Sequence, residues 1–325
     1  MSNSLSHTAT GATMTKTPSF SVDQIGDELV EFYREHGYVI IRDALGRTEI
    51  DAIHPETLSL CRGEFGEVHG YTPPPAEASD DEVLRGVLCV HHPHRASDLF
   101  MKLLAEPTIV DLLTRVIGPN VKCMQSMLFV KSSGKPGQAW HQDEDYIPTR
   151  DRSLAGAWIA LDDATVENGC LWIIPGSHRS GVLWPQYPHD DARFDCSMES
   201  FDFPYSDDDA IAVEVPAGAI VFFNGYTLHR SLPNNAPAGR YRRALVNHYM
   251  SAESLLPWRY DAGKPMGKQD YRGIVMVAGT DPYAYKGTVP GNPPHIRPDG
   301  KGGCGDGRFS LAEFKAQGMP KTSML

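Results

Sequence analysis

The hydrophobic period of this chain changes at Gly118-Pro119, and that change constrains the fold more than any other feature. Upstream, apolar residues recur at helical spacing. Residues 97–117 carry Leu, Phe, Met, Val and Ile in that pattern and are expected to form one helix. Ser21 opens a helix-like segment that continues over 27–36 with Gly37 as its stop, and a further helix is expected over 48–61. A buried strand at 38–41 separates them, and the acidic, Pro/Gly-rich stretch 63–81 reads as a loop. Downstream of Gly118 the apolar runs are short and β-like: 121–131, 155–161, 170–174, 211–215, 220–223 and 243–250. Turns such as Glu167-Asn168-Gly169 and Pro216-Ala217-Gly218 punctuate them. Helices followed by many short strands predict a mainly β fold with flanking helices, an antiparallel jelly roll covered by helices on one side.

The chain has 325 residues, and no apolar run is long enough to span a bilayer. Residues 1–20 are Ser/Thr-rich without an apolar core, so a flexible tail is expected there rather than a secretory signal. Residues 21–325 are expected to form a single domain, with a barrel core over about 121–250 and a loop-rich covering segment over 251–325. The net charge of −11 argues against a nucleic-acid or anionic-membrane surface. Six cysteines without a C-x-x-C pair point to buried thiols in a reducing, cytoplasmic compartment rather than to zinc or a disulfide framework.

One motif inside the β region carries chemistry. In His141-Gln142-Asp143 the first and third side chains of an extended segment share a face, which brings one imidazole and one carboxylate together. Thirteen histidines make such pairs common by chance, so the neighbours decide its weight. His229 follows a strand signature, Ala219-Ile220-Val221-Phe222-Phe223, and would complete a 2-His-1-carboxylate set that leaves one side of Fe(II) open for a co-substrate and O₂. Arg240-Tyr241-Arg242-Arg243 comes next. A strand Arg aimed inward needs a carboxylate, and 2-oxoglutarate has one to offer: its other end chelates the metal while its distal carboxylate takes a guanidinium fork. By contrast, His91-His92-Pro93-His94 reads as a polar loop, because Pro93 breaks regular ligand spacing.

Taken in order, these segments resemble the phytanoyl-CoA dioxygenase (PhyH) family of Fe(II)/2-oxoglutarate-dependent oxygenases. The resemblance runs from about residue 30 to 250 and rests on His36-Gly37-Tyr38-Val39-Ile40, Gly118-Pro119-Asn120-Val121 and Trp140-His141-Gln142-Asp143. It continues through Asn168-Gly169-Cys170-Leu171, Ile174-Pro175-Gly176-Ser177-His178, His229-Arg230-Ser231 and Arg242-Arg243-Ala244. It implies a cupin-like double-stranded β-helix with His141, Asp143 and His229 as iron ligands. It also implies Arg242 as the anchor of the 2-oxoglutarate carboxylate, with Arg240 as the fallback two residues earlier and Ser231 as an assisting hydroxyl. Gln142 and Trp158 fall at positions that contact the co-substrate or line its pocket, and Met127 and Gln125 are weaker pocket candidates. The implied activity is hydroxylation, or another oxidation, of an unactivated C–H bond in a small molecule such as a secondary metabolite or lipid-like acid, with release of succinate and CO₂. Asp143, standing where related halogenases carry a small residue, favours oxygenation over halogenation. Two rivals remain at this level: a cupin-type metal enzyme that uses no 2-oxoglutarate, and an inactive binding module derived from an oxygenase. Substrate identity and oligomeric state are not legible.

Overall fold

The computed structural model describes residues 17–189, 191–195, 198–255, 273–287 and 293–298. The 3₁₀ turn Val22–Gln24 precedes helix α1 (Asp27–His36), which ends where Gly37 adopts a left-handed conformation, as the sequence predicts. Strand β1 (Tyr38–Ile41) is fully buried, and α2 (Arg47–Cys61) and the short α3 (Asp80–Arg85) follow. Next come β2 (Val87–His91), α4 (Asp98–Leu103) and α5 (Pro107–Val116). The single helix expected over 97–117 is therefore two. Pro107 cannot continue a helix, and it starts a new one with Glu106 capping the Ile109 amide at 3.0 Å.

The β region holds β3 (Val121–Lys131), β4 (Gln138–His141), the one-turn α6 (Asp143–Tyr146), β5 (Ala155–Ala160) and β6 (Leu171–Ile173). It continues with β7 (Gln186–Tyr187), β8 (Glu199–Ser200), β9 (Ile211–Val213), β10 (Ile220–Asn224), β11 (His229–Ser231) and β12 (Arg242–Ser251). Two more strands, β13 (Val275–Ala278) and β14 (His295–Pro298), lie in the segment expected to be loop-rich. An eight-stranded sheet runs β1-β10-β5-β12-β3-β2-β14 with β13 beside β3, and a four-stranded sheet runs β4-β11-β6-β9. All the strand pairings are antiparallel. The architecture is the expected jelly roll.

Two expectations about boundaries change. The β core is not confined to 121–250, because β1, β2, β13 and β14 join the large sheet. Nor is the whole of 1–20 a tail: the Phe20 amide donates to the Ile40 carbonyl and its carbonyl accepts from Arg42, while residues 1–16 lie outside the described residues. Much of 251–325 lies outside them as well.

The alternation of side chains on the large sheet builds two cores. One face, with Leu128, Val130, Ile159, Phe222, Leu245 and Tyr249, packs against the helices through Leu29, Ile53, Phe100, Ile109 and Leu113. The other face, with Trp158, Val221, Phe223, Ala244 and Val246, meets Leu171, Ile173 and Val213 of the small sheet. Burial of these apolar faces is the dominant force holding the layers together. On the outer face of the small sheet, Trp140 and Leu228 pack with Trp172, Trp184, Phe203 and Tyr205. The guanidinium of Arg230 lies 4.5 Å from the Trp140 ring centroid and pairs with Asp207 at 2.9 Å.

The polar loop expected at 91–94 is instead built into the fold. His91 ends β2 and stacks on His295 at 4.5 Å, and His94 is buried with Nδ1 2.6 Å from Ser126 Oγ. Burial, with the charges of His92 and Arg95 nearby, pulls His94 down from 6.5 to about 3. His94 therefore stays neutral when folded and gains a proton on unfolding below pH 6.5, so it lowers stability as pH falls from about 6.5 towards about 3. Urea unfolding of His94→Gln should lose less stability than wild type between pH 7 and 5, by about 2 kcal/mol. Parallel acid limbs for the two proteins would contradict this.

Candidate metal centre

The H-x-D motif straddles the end of a strand. β4 stops at His141, Gln142 stays extended at φ −126° and ψ 126°, and Asp143 begins α6. That extended step keeps His141 and Asp143 on one face. β11 pairs with β4 so that His229 sits directly opposite His141, with ring centroids 4.1 Å apart. Each histidine Nε2 lies 3.7 Å from Asp143 Oδ1. His141 Nδ1 donates to the Ala139 carbonyl at 2.7 Å and His229 Nδ1 to the Thr227 carbonyl at 2.9 Å, which turns both Nε2 lone pairs toward the carboxylate.

The charge states suit a divalent cation. Burial, with His229 close by, pulls His141 down to about 4, so its imidazole is neutral and free to ligate near pH 7. For Asp143, burial opposes ionisation, but His248, His229 and His141 outweigh it and hold the carboxyl below the ordinary carboxylate range. All three ligating atoms lie within 4.8 Å of one another. Two imidazole Nε2 atoms and one carboxylate oxygen, open on one side to a pocket, fit a non-haem ferrous ion.

That pocket runs between the sheets. Met127, Phe129, Trp158, Leu171, Phe223 and Val246 form its apolar wall, and Gln138, Arg242 and His248 are polar groups beside the triad. Arg242, only 3% exposed, has its Cζ 5.7 Å from the Trp158 ring centroid and donates from Nε to the Gly169 carbonyl at 3.2 Å. Among the described residues it has no carboxylate within ion-pair distance. Burial pushes this guanidinium down to about 10, so it remains charged near neutrality. A buried, charged and unpaired Arg facing a metal triad calls for an anionic ligand.

The other expected residues are distributed differently. Trp158 and Met127 line the pocket as anticipated. Arg240 does not share a strand face with Arg242: it precedes β12 in a turn and is exposed, which removes it as an anchor. Gln142 is buried but turned away, because the alternation that brings His141 and Asp143 together sends it to the opposite face. Its amide donates to the carbonyls of Val182 and Tyr226 and accepts from the Trp184 amide, so it clasps the loop after residue 181. Ser231 Oγ accepts from Lys131 Nζ at 3.0 Å and from the Gln138 amide at 3.2 Å, and makes no hydrogen bond to Arg242 among the described residues. Gln125 sits behind the wall, its Nε2 3.3 Å from His248 Nδ1.

Sequence reasoning missed two residues. Lys131 is register partner to Arg242, and its buried Nζ donates to Gly169, Ser231 and Leu232. Its position as the last residue of an apolar run gave no sign that it would point inward. His248 lies 3.0 Å from Asp143 Oδ2. Period two from Arg242 through Ala244 and Val246 could have found it.

The Phytanoyl-CoA dioxygenase (PhyH) family pattern matches residues 33–244. This chain belongs to the PhyH family. Its members include Phytanoyl-CoA dioxygenase 1 of Oryza sativa subsp. japonica, 32% identical over 165 residues, or 50% of this chain and 57% of the rice protein. Phytanoyl-CoA dioxygenase of Arabidopsis thaliana is 36% identical over 124 residues, 38% of this chain and 42% of that protein. The chain thus spans about half the length of these two relatives. Among solved structures, the non-haem α-ketoglutarate-dependent carbocyclase SnoK from nogalamycin biosynthesis is 27% identical with a TM-score of 0.54, covering 74% of this chain and 89% of SnoK. In this PhyH-family chain no helix of the described residues is long and apolar enough to cross a membrane.

Proposed function

We propose that this protein is a non-haem Fe(II)- and 2-oxoglutarate-dependent oxygenase that hydroxylates, or otherwise oxidises, an unactivated C–H bond of a small molecule. One observation carries the reading: the His141-Asp143-His229 triad shares a pocket with a buried Arg242 that has no carboxylate to pair with among the described residues. When bound there, iron and 2-oxoglutarate supply the O₂-dependent oxidation, and the co-substrate leaves as succinate and CO₂. His141 and His229 present their Nε2 atoms, Asp143 supplies the negative charge, and Arg242 receives the distal carboxylate of the co-substrate. Met127, Phe129, Leu171 and Val246 exclude water around the carbon chain between those two ends. The intact Asp143 favours oxygenation over halogenation.

The substrate class we favour is a secondary metabolite or lipid-like acid, in keeping with the families of SnoK and of the phytanoyl-CoA enzymes. A net charge of −11 disfavours nucleic acid and a bulky polyanion alike. The buried thiols of Cys61, Cys89, Cys123 and Cys170 are in keeping with a reducing, cytoplasmic setting. Anaerobic addition of 2-oxoglutarate to the Fe(II)-loaded protein should produce a weak visible charge-transfer band, and admission of air should release succinate. Absence of the band, together with no thermal protection by 2-oxoglutarate, would overturn the proposal.

A further inference from the structure

We infer that His248, held by Gln125, is the positioning residue that keeps Asp143 a one-oxygen ligand. The inference rests on the metal centre described above and assigns a role to a residue outside the triad. Asp143 uses its two oxygens differently. Oδ1 faces both ligand imidazoles, 3.7 Å from each Nε2, while Oδ2 turns away to His248 Nε2 at 3.0 Å. Since the carboxylate is ionised and can only accept, His248 carries its proton on Nε2. In the neutral ring Nδ1 is then the acceptor, and Gln125 Nε2 meets it at 3.3 Å. The amide thereby selects the tautomer that donates to Asp143.

The backbone is shaped to permit this. β12 and β3 keep regular register from Arg242↔Lys131 to His248↔Gln125, and then a bulge intervenes, with Tyr249 opposite Cys123. In a regular strand Cys123 and Gln125 would share a face. Here Cys123 packs with the helices, while Gln125 lies beside His248, behind the pocket wall. Bulges of this kind re-aim side chains next to sites.

Coordination arithmetic gives the arrangement its consequence. An octahedral ion with two imidazoles and one carboxylate oxygen keeps three positions, two for a chelating 2-oxo acid and one for O₂. A carboxylate binding through both oxygens would leave only two. Holding Oδ2 in a hydrogen bond to the buried His248 preserves the third.

The test is Co(II) titration of the metal-free protein, read by visible absorption, with apo-protein melting as a fold check. Wild type should show saturable d–d bands and His141→Ala should not. His248→Leu is expected to bind Co(II) about 10- to 100-fold more weakly, with bands altered in intensity. His248→Gln, which can return an N–H near the same place, should restore both affinity and spectrum. Gln125→Leu should shift the bands in the same sense by a smaller amount. Should His248→Leu fail to fold, His248→Gln and Gln125→Leu decide, and a Gln125→Leu titration matching wild type in both readouts would overturn the assignment. Wild-type bands with an unchanged His248→Leu overturn it alone. Absence of bands in wild type overturns the metal centre and this inference together.

Discussion

Asp143→Ala is expected to lower affinity for Fe(II) or Co(II) by more than about 100-fold and to abolish 2-oxoglutarate turnover. Changes outside the ligand set already cost about 10- to 100-fold in such sites, and this one removes the carboxylate of the triad. The apo protein should also be less stable, since His248 Nε2 would be left buried without its acceptor at a cost of about 1–3 kcal/mol. Asp143→Asn separates the two effects. It retains an acceptor for His248 and should restore most of the stability, but without a charge it should not recover the metal affinity. Calorimetric titration and thermal melting of the three proteins measure both quantities. Full metal affinity in either variant would remove Asp143 from the ligand set.

Arg242→Met is expected to move stability and co-substrate binding in opposite directions. The guanidinium is buried without a carboxylate and is satisfied at Nε by the Gly169 carbonyl. Replacing an uncompensated buried charge with an apolar chain of similar length is commonly neutral or stabilising, so the free protein should melt at an unchanged or higher temperature. Affinity for 2-oxoglutarate should fall by about 100-fold, about 3 kcal/mol, because the distal carboxylate would lose its charged partner. Arg242→Lys should recover only part of this: it keeps a charge but not the two-pronged fork. Apo melting curves and 2-oxoglutarate titrations of the metal-loaded protein give the comparison. Unaltered 2-oxoglutarate affinity in Arg242→Met would place the anchor elsewhere, and the exposed Arg240 is not positioned to replace it.

Much of the fold was legible because strand periodicity is a local property. The runs expected at 121–131, 155–161 and 220–223 are strands with nearly those bounds, and Gly37 stops α1. What failed also has local causes. Apolar spacing across 97–117 continues through Pro107, so the hydrophobic pattern alone could not see a break that proline chemistry imposes. The run 91–94 was expected to be a polar loop, yet His91 ends β2 and stacks on His295 while His92 and His94 are buried. Gln142 was misjudged although the alternation used to pair His141 with Asp143 already sends it to the other face.

The sequence by itself pointed to the reaction class and left two rivals standing: H-x-D on an extended segment, a later His and an Arg beyond it suit a metal with a dicarboxylate co-substrate. It also determined which side of β12 Arg242 would share with His248, since period two is set by the backbone of one strand. Only the tertiary structure decided that His229 stands opposite His141, that Arg242 rather than Arg240 is buried, and that His248 reaches Asp143 Oδ2. The physical reason is the same in each case. Cross-strand register and the bulge between β3 and β12 join residues separated by tens to more than a hundred positions, and they are settled by closing two sheets over a shared apolar interior.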